Sequence, residues 1–295
     1  MIEEYLNSLK TRLAGADPAI VQDALYDAEE YLRNETASMP AGDEEAAWAR
    51  IVESYGTPEE VAAAYLDTEV KVAAALKPVV TRVDNRGPLA KFFGILADPQ
   101  AWGAAFYLLL SLVTGIVYFT IVVTGLSLSA GLSILIVGVP MMLAFLAIVR
   151  AISLAEGRVV EGLLGERMPR RPRLAPARSD LWGRIKWWLT DYRTWTTMLY
   201  MALQLPLGIT YFTTIVTGAA VCASLIAAPV AQLVTGQPMF IMGSYGYLIE
   251  PWAAPLVMAV GALGFVLMLH IIKLVGRLHA GYAKVMLVGN FSENR

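Results

Sequence analysis

The chain has 295 residues, 57% of them hydrophobic and 16% charged, with a mean hydropathy of +0.54. Soluble domains carry nearer about a quarter charged residues, so an ordinary soluble fold is excluded. The one cysteine, Cys222, excludes an intrachain disulfide, a CxxC pair or a zinc knuckle. The net charge of −2 hides two opposite parts: residues 1–70 hold 16 acids and 4 bases, whereas residues 71–295 hold 9 acids and 19 bases. The first part, near −12, would be repelled by phosphates, which argues against nucleic acid as a partner.

Residues 1–70 predict four short helices. In the first, Ile2, Tyr5, Leu6, Leu9 and Leu13 recur at helical spacing, and Gly15 ends it. Asp17 caps the second, with Pro18 at its first position, where the missing N–H costs nothing. That helix buries Ile20, Ala24, Ala28, Tyr31 and Leu32. Asp43 caps a third, with Ala47, Ile51 and Tyr55 inward. Gly56 then stops it, and Thr57 with Glu60 forms a capping box for a fourth through Leu66. The acidic start, Met1-Ile2-Glu3-Glu4-Tyr5, lacks the basic and apolar regions of a signal peptide, which predicts a cytoplasmic N-terminus.

The segments Asp27-Ala28-Glu29-Glu30-Tyr31-Leu32 and Tyr55-Gly56-Thr57-Pro58-Glu59-Glu60-Val61-Ala62 resemble the HAAS-type signalling domain of bacteria. The resemblance implies a small cytoplasmic helical module with a regulatory role and, as a partner, a PadR-like transcriptional regulator or a membrane complex. Asp23, Asp27 and Glu30 lie three and four apart on one helix face. They read as a solvated face or, second, as a surface for a protein partner, and they lack the closing ligands of a metal site. No cofactor is expected.

A polar linker, 71–88, precedes the membrane part. Apolar runs long enough to span lie at Gly103–Gly125, Leu128–Val149, Thr196–Ala220 and Ala253–Ile272, with Pro206 inside the third. The expected architecture is therefore all-α: a small helical domain followed by four transmembrane helices. Lys and Arg crowd residues 150–193 and follow the fourth span, whereas the turn near Gly125–Leu128 and the stretch 229–252 have none. Both termini and the central segment are thus expected in the cytoplasm, in a multi-pass protein of the bacterial inner membrane with an outer loop at about 226–252.

The membrane part repeats. At an offset of 93, Gly115–Gly125 falls on Gly208–Gly218 with most of the eleven positions identical, and Tyr107 falls on Tyr200. At an offset of 119, Gly157-Arg158 falls on Gly276-Arg277. Both copies enter from the same side, so two parallel two-helix repeats are expected, at 89–190 and 191–295. Gly115, Tyr118, Val122 and Gly125 share a face, as do Gly208, Tyr211, Ile215 and Gly218, and glycine faces approach closely in lipid. Tyr118, Thr124, Tyr211 and Thr217 are the candidates for holding a small hydrophobic ligand or lipid between the repeats.

Each repeat is preceded by a stretch mixing aromatic and basic residues. Trp102, Trp182, Trp187, Trp188 and Trp195 are the candidate membrane anchors, with Asp98 and Asp191 capping the spans. The unit, with its Gly138-Val139-Pro140 and Glu156-Gly157-Arg158, resembles the sensor-type membrane domain of actinobacterial histidine kinases over about residues 89–285. The sequence departs from those kinases in having no phosphoacceptor histidine region and no glycine-rich ATP lid; His270 and His279 are expected at the membrane exit of the last span. No HExxH, P-loop or GxSxG is present.

The expected function is that of a non-enzymatic membrane sensor or regulator passing a signal to a cytoplasmic partner. The alternatives are an accessory or scaffold subunit of a membrane complex, a carrier or binder of a small hydrophobic molecule or lipid, and, in either case, a homo-oligomer. The opposite charges suggest that the acidic domain docks on the basic segment 158–186 and leaves it when that segment meets anionic lipid.

Overall fold

The computed structural model of the chain describes residues 1–38, 44–76, 87–132, 138–172, 189–242 and 245–288. Four short helices come first: α1 (Ile2–Arg12), α2 (Pro18–Ala37), α3 (Glu44–Tyr55) and α4 (Pro58–Leu76). A short α5 (Pro88–Phe93) and a 3-10 turn (Gly94–Ala97) lead into α6 (Pro99–Gly131), α7 (Gly138–Leu164), α8 (Tyr192–Thr235) and α9 (Ala254–Leu287). Between α8 and α9, β1 (Phe240–Met242) pairs antiparallel with β2 (Tyr245–Tyr247). The chain divides into two compact units, one of Met1–Val83, Val122–Tyr200 and Gly281–Arg295, the other of Asp84–Ile121 and Met201–Ala280.

The N-terminal helices of the first unit fold as their sequence directs. Tyr5, Leu9 and Leu13 of α1 and its exit meet Ala24, Ala28 and Leu32 of α2, with Ile51, Val61 and Ala62 closing one apolar core. The caps are those expected. Asp17 accepts from Ala19 N at 2.9 Å. Thr57 and Glu60 bond reciprocally, Thr57 N to Glu60 Oε2 at 2.8 Å and Glu60 N to Thr57 Oγ1 at 3.3 Å. Gly56 carries a φ of +106° and its carbonyl accepts from Tyr5 Oη at 2.7 Å, so the turn is pinned to the core. Gly56→Ala should therefore lower the stability of this domain by about 1–2 kcal/mol, read as a lower melting temperature of its helical signal.

Each of the four long helices is long and apolar enough to cross a membrane, and at most 33% of its apolar stretch is buried within the protein. Val113, Ile116, Phe119, Leu267 and Ile271 all face outward. Leaving such surface in water costs roughly 25 cal/mol per Å², so these helices are solvated by lipid.

Their limits differ from the expected ones. The helix α6 does not turn near Gly125–Leu128 but runs on to Gly131, because Gly125 serves packing: a Cβ there would strike the ring of Phe145. The second span starts at Gly138, not Leu128, and passes Val149 to end at Leu164, where Gly165 with φ +75° stops it. The helix α8 passes Ala220 and keeps both Pro206 and Pro229 inside it, so the connection to α9 begins at Gly236, with φ +67°, and not near residue 226. Its 44 residues span about 66 Å, twice the hydrocarbon core. Apolar, largely alanine-rich sequence between residues 219 and 233 lets the helix continue beyond the core. The Gln232 amide ties the connection between α8 and α9 back to it, donating to Ile249 O at 2.7 Å and accepting from Ile249 N at 2.8 Å. The helix α4 extends ten residues beyond Leu66, into the expected linker; residues 77–86 of that linker and Asp43 lie outside the described residues.

In the second unit α6 and α8 cross at glycine. A Cβ on Gly115 would lie 2.7 Å from Gln204 O, and one on Gly208 would lie 2.7 Å from the carbonyl carbon of Ser111. Gly125 and Gly218 do not join this crossing. They face the following helices instead, Gly125 against Phe145 and Gly218 against Met268.

Candidate functional site

The first unit brings acidic α2 and the basic segment after α7 together. Gly165 ends α7 and leaves residues 165–172 non-helical, with main-chain donors available. Asp23, only 5% exposed, takes two of them: its Oδ1 accepts from Arg170 N and Arg171 N, both at 2.8 Å. Its Oδ2 lies 3.4 Å from the Arg167 guanidinium. Arg167 is shared with Glu69 of α4 at 3.4 Å and with Glu161, near the end of α7, at 3.0 Å. Arg170 also reaches Glu161, at 2.9 Å. Arg171 pairs with Asp27 at 2.7 Å, its guanidinium lies 5.8 Å from the Tyr26 ring centre, and its carbonyl accepts from Gln22. Asp27 further accepts from Tyr65 Oη at 2.7 Å. Lys284, near the end of α9, bridges Asp17 and Glu166 at 2.6 Å each.

This corrects the reading of Asp23, Asp27 and Glu30 as one solvated face. Glu30 is exposed, Asp27 half-buried and Asp23 buried. Burial raises the Asp23 carboxyl above its usual range, while the N–H groups of Arg171 and Arg170 and the Arg167 charge pull it down. Tyr65 is pushed well above the usual phenol range, first by burial and then by its bond to Asp27.

The long helices carry buried polar pairs that sequence reasoning did not single out. In the first unit Glu156, 1% exposed, accepts from Tyr200 Oη at 2.9 Å, and the Tyr200 ring lies 5.3 Å from that of Tyr282. In the second unit the buried His279 ring stands between two tyrosines, 2.9 Å from Tyr107 Oη at Nε2 and 3.3 Å from Tyr211 Oη at Nδ1. His279, 2% exposed, is thus enclosed by the helices. His270 is half-buried and stacks on Phe92 at 5.3 Å.

These contacts match in pairs. Tyr107 with His279 corresponds to Tyr200 with Glu156, the tyrosines 93 and the partners 123 positions apart. The same two offsets relate the ion pair Asp98–Lys273 to Asp191–Arg150, and Gly125–Phe145 to Gly218–Met268. The second offset is one helical turn longer than the 119 suggested by the sequence. The recurrence extends to the caps: Asp98 accepts from Gln100 N and Asp191 from Arg193 N.

Among the candidate anchors, Trp102 and Trp195 are exposed, and their indoles donate to Leu96 O at 2.9 Å and Leu189 O at 2.8 Å. Trp182, Trp187 and Trp188 lie outside the described residues. Of the candidate ligand residues, Tyr118 is buried and Tyr211 half-buried, whereas Thr124 and Thr217 are exposed. Six positions along a helix is a turn of roughly 240° beyond the full circle, which separates each threonine from its tyrosine.

Residues 107–287 match the family described as "Putative sensor", and residues 4–64 match the HAAS family. No curated protein matches the chain, and no solved structure does. The sensor match covers more than half of the 295 residues and takes in all of α7, α8 and α9 and most of α6. The chain therefore belongs to the Sensor family, carries a HAAS domain ahead of that part, and has the domains of a membrane signalling or sensor protein.

Proposed function

We propose that this chain is a non-enzymatic signal relay of the bacterial inner membrane, multi-pass, with both termini in the cytoplasm. The membrane half responds to a ligand, a lipid state or a partner helix, and the HAAS domain passes that response to a cytoplasmic protein, such as a PadR-like regulator. The observation that carries this reading is Asp23, buried against the backbone of Arg170 and Arg171 while Arg167 and Arg170 hold Glu161 of α7. A shift of α7 would move the donors that hold α2. Such a contact is a two-state element that a membrane event can bias. The matched contacts at 93 and 123 positions support a parallel duplication of the two-helix unit, with the first copy's α7 specialised for the HAAS contact.

The test is gentle purification from native membranes, with quantitative mass spectrometry of what accompanies the wild type and Asp23→Ala. A cytoplasmic regulatory protein whose amount changes severalfold between the two supports the relay. Identical accompanying proteins, in identical amounts, would sink it.

A further inference from the structure

A half-open cavity of about 70 Å³ lies in the first unit, where the end of the second apolar run meets the start of the third. One water occupies ~10–15 Å³ on this measure, so the space takes a small polyatomic group and not a drug-sized ligand. Among the described residues its charged lining is Arg150 and Arg193 against the carboxylate of Asp191. That carboxylate is engaged as the α8 cap, accepting from Arg193 N at 3.3 Å, and Arg150 stands 4.0 Å from it. Thr194 and Thr197 add two hydroxyls to the wall. These residues are 6% and 7% exposed, and neither side chain has a hydrogen-bond partner among the described residues.

Two hydroxyls on the cavity wall beside two guanidinium groups form a set of donors around one space. The first turn of α8 adds the positive end of a 44-residue helix. An acceptor-only anion with several oxygens fits such a set, and a phosphate group meets both the size and the planar fork of arginine. The opposite wall includes Met168 and Pro172 of the docking segment and Gln22 of α2. An occupant would therefore touch the segment whose backbone holds Asp23.

We infer that this cavity binds a phosphate group, carried by an anionic phospholipid headgroup or free in solution. The lipid source rests on the cytoplasmic placement proposed above; the binding of phosphate does not. Nor does the Asp23 contact depend on it, so the two readings fail separately.

The test uses the full chain in a neutral maltoside detergent. Dihexanoylphosphatidylglycerol and inorganic phosphate are titrated separately by calorimetry. The proteins are the wild type, Arg150→Gln with Arg193→Gln, and Thr194→Val with Thr197→Val. Saturable binding that weakens by about tenfold or more in both variants supports the site, because each removes charge-assisted bonds to the same anion. Binding of the lipid alone assigns the headgroup; binding of both probes assigns a site open to free phosphate. No saturable binding of either probe to the wild type, or unchanged binding in the variants, overturns the inference. Should the arginine variant melt early, the threonine variant, which alters no charge, decides alone.

Discussion

Replacing Gly208 by alanine is expected to leave little folded, monodisperse protein in detergent. The new Cβ would lie 2.7 Å from the Ser111 carbonyl carbon and 2.8 Å from Leu112 Cα. Both are backbone atoms of a packed helix, so no side chain can swing away. Only separation of α6 from α8 relieves the clash, and it would open the contact at Gly115 as well, since Gly115 meets Gln204 and Leu205 at the same crossing. Overpacking costs about 1–3 kcal/mol where side chains can adjust, and more where they cannot. Close approach through glycine is also a main source of association between helices in lipid. Gly162→Ala is the control. A Cβ there meets nothing within 4 Å, so this change in α7 should be neutral or stabilising by about 0.5–1 kcal/mol. Fluorescence-detected size exclusion after graded heating compares the two. A Gly208→Ala protein that melts with the wild type would refute the close crossing.

Asp23→Ala should free the HAAS domain from the segment 165–172 without unfolding it. The carboxylate is absent from the apolar core of the domain but accepts two backbone N–H groups and faces Arg167. Truncating it leaves these donors unpaired at once, a loss on the order of 3 kcal/mol, or roughly a hundredfold in the docking equilibrium. Asp23→Asn keeps an acceptor oxygen and should be milder. Hydrogen exchange reads the difference: the amides of Arg170 and Arg171 should exchange far faster in Asp23→Ala, while those of α1 and α2 stay protected. Equal protection in the two proteins would show that Asp23 does not hold the contact.

Docking should also respond to pH. The Asp23 carboxyl is raised by burial, so the docked state holds a proton more readily than the undocked one. The sign follows from linkage: this contribution is complete below the ordinary carboxylate pKa, about 4, and is lost as pH rises through the raised value. Acidification should therefore tighten the contact through Asp23. The non-titrating Asp23→Asn variant should lose this part of the pH response.

Much of the architecture was legible because it rests on local rules. The caps at Asp17, Thr57, Asp98 and Asp191 need only a side chain within three residues of a free N–H, and all four form. The apolar runs announce spans because lipid demands about 20 residues of low polarity. Span limits were less legible. Glycine at 125 reads as a break along the chain, yet it accommodates Phe145, whereas Pro206 lies inside α8 as expected. Whether a glycine turns the chain or admits a neighbour depends on what stands opposite.

The charge division between residues 1–70 and the rest was visible in the sequence, and so was the prospect that the two parts meet. The means of meeting was not. Charge counts favoured diffuse attraction among side chains, whereas Asp23 is held by backbone N–H groups that carry no signature in the residue names. Likewise Glu156 and His279 read as ordinary polar residues past the apolar runs, and only folding sets tyrosines 44 and 172 positions away against them. The sequence by itself determined the helices, their caps, the four apolar spans and the family, because each follows from neighbours within a few turns. Tertiary structure decided which acid is buried, which glycines touch backbone and which buried polar groups find partners, because burial and pairing depend on segments far apart in the chain.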